Sequence, residues 1–134
     1  MNISILYGGV STEKKISIQT GLAVAEAIKG IYNLDMINLE EEIYQSQHNL
    51  LDADLVFNAL HGGDGENGTI QAYLDLHHIA YTGSGSKASK IAMDKNISKL
   101  IAQSVKIPTP NWILIKRAQH TGFKLHNKEA IKFT

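Results

Sequence analysis

The fold is decided near the start of the chain, where residues 3–9 read Ile-Ser-Ile-Leu-Tyr-Gly-Gly. Isoleucine, leucine and tyrosine favour a β-strand, and the two glycines end it. A strand that begins this close to residue 1 is typical of the centre of a parallel sheet. The sequence therefore predicts a central parallel strand that leads into a glycine-rich loop.

Strand-like and helix-like patterns alternate along the next hundred residues. Ile18, Leu22, Ala25 and Ile28 recur at the spacing of one helix face, and Gly30 is the predicted C-terminal cap. We predict further strands over residues 32–39, 54–60 and 79–81, and helices over residues 40–51, 69–76 and 86–105. Such alternation predicts right-handed crossovers, and so an α/β fold with an open parallel sheet and flanking helices, Rossmann-like in its layers.

A proline-rich segment marks the predicted end of this domain. Pro108-Thr109-Pro110 cannot continue a helix and is interpreted as a linker. We therefore expect one α/β domain over residues 1–106, and a linker with the start of a second domain over residues 107–134. Residues 112–115 are predicted to form a strand of that second part, with Trp112 packed in a core.

Composition excludes several classes of function. The chain has 134 residues, of which 43% are apolar, and this suits a globular core. Thirteen basic and thirteen acidic residues give no net charge, so general nucleic-acid binding is not expected. The absence of cysteine excludes disulfides and thiolate metal sites. No apolar run approaches the ~18 residues of a membrane helix, and we expect a cytoplasmic domain without a membrane partner.

Three glycine-rich loops follow the first, third and fourth predicted strands. Open parallel sheets bind ligands outside the carboxyl ends of their strands. The three loops should therefore gather at one edge of the sheet and form the binding face. They carry Glu13, His61, Asp64, Glu66 and Ser84.

One loop matches the sequence motif of a dinucleotide-binding site. Residues 63–68 read Gly-Asp-Gly-Glu-Asn-Gly, which fits G-x-G-x-x-G. Asp64 and Glu66 would set two negative charges where a pyrophosphate must lie, and Ala88 stands where the fingerprint needs an acid. The match also follows the third strand and not the first. The same two acids count against a flavodoxin-like nucleotide binder.

The residues by themselves leave two roles open for each main candidate. Glu13 either stabilises a helix N-terminus or pairs with the ammonium group of a ligand. His61 either packs at a strand end or contacts a ligand that its flanking glycines allow to approach closely.

Four other polar residues are predicted to face solvent. His77 and His78 are adjacent, lack the spacing of a metal-binding pair, and lie at a predicted helix end, so no metal site is expected. Lys95 and Lys99 stand four residues apart on a predicted helix.

Three blocks of sequence resemble one known family when they are taken together. Residues 8–17 read GGVSTEKKIS, residues 60–71 read LHGGDGENGTIQ, and residues 81–95 read YTGSGSKASKIAMDK. In this order and spacing they resemble the N-terminal domain of D-alanine–D-alanine ligases, which are ATP-grasp enzymes. The resemblance covers residues 3–116.

The resemblance implies a reaction and a role for each matching residue. ATP and Mg²⁺ are used to phosphorylate the carboxylate of one D-alanine, and the amine of a second D-alanine attacks that acylphosphate to give the dipeptide of peptidoglycan. Glu13 would pair with the ammonium of the first D-alanine, and Ile16 would line that subsite. His61 would lie near its carboxylate and the reacting centre. Lys95 would reach the ATP phosphates, and members of the family are typically homodimers.

The family's central and C-terminal domains have no counterpart in this sequence. They supply the remaining ATP-binding lysine, the arginine that stabilises the tetrahedral intermediate and the acidic Mg²⁺ ligands. Groups of this kind are commonly worth several kcal/mol each in catalysis. We therefore expect the chain alone to lack ligase activity and to bind neither ATP nor Mg²⁺ tightly. The alternative is a non-catalytic ligand-binding or dimerisation module derived from the same domain.

Overall fold

A three-stranded parallel sheet forms the centre of the molecule. The computed structural model describes residues 1–39, 50 and 52–115. The strands are β1 (Asn2–Gly8), β2 (Asn33–Leu39) and β3 (Leu55–Asn58), in the order β2-β1-β3. Ile3 of β1 is paired with Leu34 on one side and with Leu55 on the other. The prediction that the first strand is central and parallel is confirmed.

Four helices flank the sheet within the described residues. They are α1 (Lys14–Ile28), α2 (Thr69–Leu76), α3 (Ser86–Met93) and α4 (Lys95–Ser104), and a short 3₁₀ turn covers Gly63–Gly65. The α/β fold with an open parallel sheet is confirmed, and α2 has the predicted bounds. In the part of the chain that the structure describes, no helix has the length and apolar character needed to span a membrane.

The core lies on both faces of the sheet because side chains of a strand alternate in direction. Leu6 belongs to one buried cluster, to which α2 contributes Ile70 and Leu74. Ile3 and Ile5 belong to the other cluster, against which the partly buried side chains of α1 pack. Ile5 and Leu6 are completely buried, and each such burial contributes roughly 1.5–3 kcal/mol.

The buried face of α1 differs from the prediction. Leu22 is 54% exposed, while Ser17 and Gly21 are the buried residues of this helix. A Cβ atom at Gly21 would lie 2.7 Å from the Cβ of Tyr7, so glycine allows the helix to lie close to β1. The predicted face was wrong at Leu22 because the helix turns a stripe of small residues to the sheet. Gly30 has a φ of 77°, as its predicted role as a cap requires.

The single helix predicted over residues 86–105 is two helices. Asp94 has a ψ of 95°, which is not helical, and it separates α3 from α4. Its side-chain oxygen accepts hydrogen bonds from the backbone N–H groups of Asn96 and Ile97, both at 3.0 Å. The prediction failed because an aspartate that caps a new helix competes with continuation of the old one.

Two predicted strands are shorter than expected. β3 ends at Asn58, two residues before the predicted end. The predicted fourth strand is reduced to one parallel bridge between Val56 and Tyr81. Two hydrogen bonds support this bridge, from the N–H of Val56 to the carbonyl of Ala80 at 2.8 Å and from the N–H of Thr82 to the carbonyl of Val56 at 3.0 Å. The bridge brings the loop after Tyr81 beside the end of β3.

The segment after α4 has no regular secondary structure up to residue 115, so the predicted strand over residues 112–115 is not formed. Trp112 is half-buried and not packed in a core, since its indole Nε1 donates a hydrogen bond to the side chain of Asn96 at 2.9 Å. The Lys99 ammonium lies 5.2 Å from the centroid of the indole ring and donates a hydrogen bond to the carbonyl of Pro110. Lys99 therefore does not simply face solvent.

One predicted helix and the predicted domain boundary involve residues outside the described part of the chain. The helix expected over residues 40–51 lies outside the described residues, apart from Leu50. The domain boundary at residue 106 remains a prediction, because residues 116–134 are not among those described.

Candidate functional site

The loops after β1, β3 and Tyr81 meet at the carboxyl-end edge of the sheet. We call this surface the rim, formed by residues 8–13, 59–68 and 82–85. The buried hydroxyl of Ser17 accepts a hydrogen bond from the N–H of Gly8 and donates one to the carbonyl of Ala59, both at 2.8 Å. The N–H of Asn58 donates to the Thr82 hydroxyl at 3.1 Å. These bonds join the three loops, as the topology predicted.

Ser11 brings the first loop of the rim against the second. Its hydroxyl donates a hydrogen bond to the carbonyl of His61 at 2.5 Å and accepts one from the N–H of Glu13 at 3.1 Å. A Cβ atom at Gly62 would lie 2.5 Å from Oε2 of Glu13, so the carboxylate lies against the residue that follows His61. Gly62 also has a φ of 68°, which favours glycine. The structure therefore brings Glu13 and His61 together on the rim.

The imidazole of His61 has a partner within the chain at each nitrogen. Its Nε2 lies 3.1 Å from the Thr20 hydroxyl, and its Nδ1 lies 3.9 Å from a carboxylate oxygen of Glu66. The His61 and Glu66 side chains are 35% and 41% exposed, so an ion pair between them contributes little to stability.

The segment that carries His61 is held at both ends by Asn58. The Asn58 side chain accepts a hydrogen bond from the N–H of Leu60 at 3.1 Å and donates one to the carbonyl of Gly65 at 2.9 Å. Gln71, on α2, donates a second hydrogen bond to the same Gly65 carbonyl at 2.8 Å. These contacts fix the two ends of the loop on either side of the imidazole.

A carboxylate on α2 holds the third loop of the rim. Asp75 accepts hydrogen bonds from the Tyr81 hydroxyl and the Ser86 hydroxyl, both at 2.7 Å. The bond from Tyr81, followed by that from Ser86, lowers the pKa of Asp75 below its ordinary value. Burial, followed by the nearby Asp75, raises the pKa of Tyr81. The loop over residues 82–85 is therefore anchored on both sides.

The other two predicted site residues lie on helices. Ile16 is in the first turn of α1 and is 50% exposed, three residues after Glu13. Lys95 is exposed at the start of α4, which packs against α3. The structure thus keeps Ile16 near Glu13 along the same helix, and gives Lys95 a position on a separate element.

Residues 63–68, which match the dinucleotide-binding motif, form a tight polar turn. Asp64 and Glu66 lie within or beside the 3₁₀ turn, and the side chain of Asn67 donates a hydrogen bond to Asp64 at 3.0 Å. His77 and His78 are exposed, as predicted. No group of three metal-binding side chains converges among the described residues.

Sequence reasoning missed Thr20 and Asn58 as residues that shape the site. Thr20 stands seven residues after Glu13, which on a helix is two turns further along nearly the same face, and this spacing was the available signal. Asn58 is a polar residue at the end of an otherwise apolar strand.

The fold and the rim place the chain among open parallel α/β domains, a class that binds small ligands at the carboxyl-end edge of its sheet. An exposed carboxylate and a half-buried imidazole, brought together by Ser11 and Gly62, suit a ligand that carries both an ammonium and a carboxylate.

Comparison with known proteins identifies the family. Residues 37–84 match the family described as D-ala D-ala ligase N-terminus. The D-alanine–D-alanine ligase of Moorella thermoacetica is 39% identical over 132 residues, which are 98% of this chain and 42% of that protein. The corresponding ligase of Fusobacterium nucleatum is 49% identical over 111 residues, which are 82% of this chain and 39% of that protein.

A solved structure gives the same result. The D-alanine–D-alanine ligase of Bacillus anthracis complexed with ATP superposes with a TM-score of 0.78 at 41% identity, over 84% of this chain and 37% of that one. The chain belongs to the D-alanine–D-alanine ligase family and corresponds to its N-terminal part. It spans about two fifths of the length of the curated relatives it matches.

Proposed function

We propose that this chain forms one side of the first D-alanine subsite of a D-alanine–D-alanine ligase. The observation that carries the proposal is the shared rim, on which Ser11 and Gly62 bring the Glu13 carboxylate and His61 together. The whole enzyme joins two D-alanines through an acylphosphate formed with ATP, and its dipeptide product serves peptidoglycan synthesis.

The roles of the subsite residues follow from their chemistry and exposure. The Glu13 carboxylate is exposed and pairs with the ammonium of the first D-alanine. Ile16 offers a half-exposed apolar side chain beside it, which suits the methyl group. His61 lies near the ligand carboxylate, where an imidazole N–H stabilises negative charge as it develops.

The cofactors depend mostly on residues beyond those described. ATP supplies the phosphoryl group, and the exposed ammonium of Lys95 suits its phosphates. Lys95 begins the helix that the segment 110–112 contacts through Asn96 and Lys99, so it stands on the side from which the chain continues. Mg²⁺ belongs to the whole ATP-grasp enzyme and is not assigned to any residue described here. A cytoplasmic location is part of the proposal, because ATP is available there.

The proposal includes a homodimer. Among the described residues α4 has no buried member, and its Ile97, Leu100 and Ile101 side chains are 42%, 52% and 45% exposed. An exposed apolar stripe of this kind is typical of an interaction surface. Sedimentation velocity at increasing protein concentration measures the association.

Titration with D-alanine, followed by the amide NMR signals of the chain, tests the proposed subsite. We expect weak binding, with a Kd of about 1 mM or higher, because only one side of the pocket is present. The signals that shift should belong to residues 9–13 and 61–66. The Glu13→Gln variant should lose the response by removing the charge that pairs with the ammonium.

Two controls accompany this titration. Glu26→Gln changes an exposed glutamate that pairs with Lys29 at the other end of α1, and it should bind like the unmodified chain. L-Alanine should produce smaller shifts than D-alanine. Shifts confined to residues away from the rim, or an unchanged response in Glu13→Gln, would contradict the proposal.

A further inference from the structure

The hydroxyl of Thr20 makes an unusual contact for a helical threonine. In a helix this hydroxyl commonly bonds to a carbonyl of the preceding turn. Here Oγ1 lies 3.1 Å from Nε2 of His61, which is 41 residues away in the sequence. Both residues are partly buried, so the contact is partly shielded from competing water.

The position of Thr20 is determined by the packing of α1. The next residue is Gly21, where a Cβ would lie 2.7 Å from the Cβ of Tyr7, so the helix lies directly on β1. One turn earlier, Ser17 donates its hydrogen bond to the carbonyl of Ala59, two residues before His61. The helix and the His61 loop are thus joined beside the contact.

The second ring nitrogen determines which way the hydrogen bond runs. Nδ1 of His61 lies 3.9 Å from Oε1 of Glu66. This distance is too long for a direct hydrogen bond, but the negative charge of an ionised carboxylate attracts the N–H dipole and so favours a proton on the nearer nitrogen, Nδ1. In the neutral ring Nε2 then carries the lone pair, and the Thr20 hydroxyl must be the donor.

We propose that Thr20 is a positioning residue that holds neutral His61 in the tautomer protonated at Nδ1. The relevance of this inference to catalysis rests on the proposed function, since it concerns the imidazole of the D-alanine subsite. In the neutral ring, Nε2 is bonded to Thr20 and Nδ1 faces Glu66. Thr20 therefore fixes the orientation in which the uncharged ring meets a bound D-alanine.

The tautomer is measured directly by long-range ¹H–¹⁵N NMR of the histidine rings in the ligand-free chain. Spectra are recorded at about pH 8.5, above the ~6.5 at which an ordinary histidine titrates. A His61→Gln variant assigns the ring signals. We expect His61 to be mainly Nδ1-protonated, in contrast to the exposed His78.

Three variants separate the hydroxyl from the shape of the side chain. Thr20→Val keeps the branched shape without the hydroxyl, and should move the tautomer ratio of His61 toward that of His78. Thr20→Ala repeats the test with a residue that favours helix. Thr20→Ser keeps the hydroxyl and should retain the original ratio. Amide spectra confirm that each variant is folded.

Either of two results would overturn the inference. One is an unmodified chain in which His61 is protonated mainly at Nε2. The other is a ratio that stays the same in folded Thr20→Val and Thr20→Ala. The tautomer is measured without ligand, so the two experiments can fail separately. If His61 has the expected tautomer but D-alanine does not bind, only the proposed function is overturned. If D-alanine binds but the tautomer is not the expected one, only this inference is overturned.

Discussion

Ser17 shows how one small polar residue supports the rim. It is completely buried, and its hydroxyl serves two backbone groups that no water can reach, the N–H of Gly8 and the carbonyl of Ala59. These groups end neighbouring strands. A residue with one donor and one acceptor on the same atom joins them at the smallest possible volume.

Replacing Ser17 by alanine should lower the free energy of unfolding by about 1–3 kcal/mol, because two buried backbone groups lose their partner. Urea unfolding followed by circular dichroism measures this loss. Ser104→Ala is the matched control, since Ser104 is exposed and bonds only to the carbonyl of Ile101 at the end of α4. Equal losses in the two variants would show that the buried bonds do not contribute.

Single residues of the site were predictable to different degrees. The position of Glu13 and His61 on the rim was predictable from the sequence, because glycine-rich loops after parallel strands carry them to a known edge. Thr20 and Asn58 were not found, because their partners are set by tertiary packing. Thr20 meets a residue 41 positions away, and the Asn58 side chain bonds to the backbone of Leu60 and Gly65, at the two ends of a loop whose path the sequence does not show.

The elements themselves were mostly predictable, since hydrophobic periodicity determines strand and helix type. β1 and α2 followed from their patterns. The break at Asp94 did not, because the apolar period runs through it and only the capping bonds to Asn96 and Ile97 stop the helix. The small-residue face of α1 was missed because Gly21 contributes close approach and not hydrophobicity.

The contact of Asp75 with Tyr81 and Ser86 links α2 to α3 and makes stability depend on pH. The folded-state pKa of Asp75 lies below its ordinary value of 3.8, because two hydroxyls donate to the carboxylate. The ionised carboxylate therefore stabilises the fold above that ordinary value, and the contribution is lost as the pH falls through the folded-state pKa.

Asp75→Ala should accordingly lower the Tm at neutral pH. The difference from the unmodified chain should shrink as the pH falls below about 4. Thermal unfolding at a series of pH values measures both. Asp35→Ala, which changes an exposed aspartate on β2, serves as the control and should alter the Tm little. A difference that stays constant across the acidic range would contradict this account.

At the scale of the whole molecule, the described residues provide the rim at one edge of the sheet. Glu13 and His61 lie on it, but no converging metal ligands are found among residues 1–39, 50 and 52–115. The family relatives are more than twice as long as this chain.

We therefore expect the purified chain of 134 residues to release no phosphate from ATP in response to D-alanine. Electrostatic stabilisation of the transition state and metal assistance commonly contribute several kcal/mol each, and the described residues offer neither in full. A coupled phosphate assay with a full-length ligase as positive control measures this. D-Alanine-dependent release that persists after repeated purification would show that the chain is catalytically complete.

The contact between Trp112 and α4 makes the fluorescence of the chain sensitive to the position of residues 110–112. Trp112 is the only tryptophan of the chain, and its indole is fixed by Asn96 and covered by the Lys99 ammonium. Any event that separates residues 110–112 from α4 exposes this indole to water, and the wavelength of its fluorescence emission changes. The molecule thus carries an intrinsic fluorescent reporter of the contact between residues 110–112 and α4.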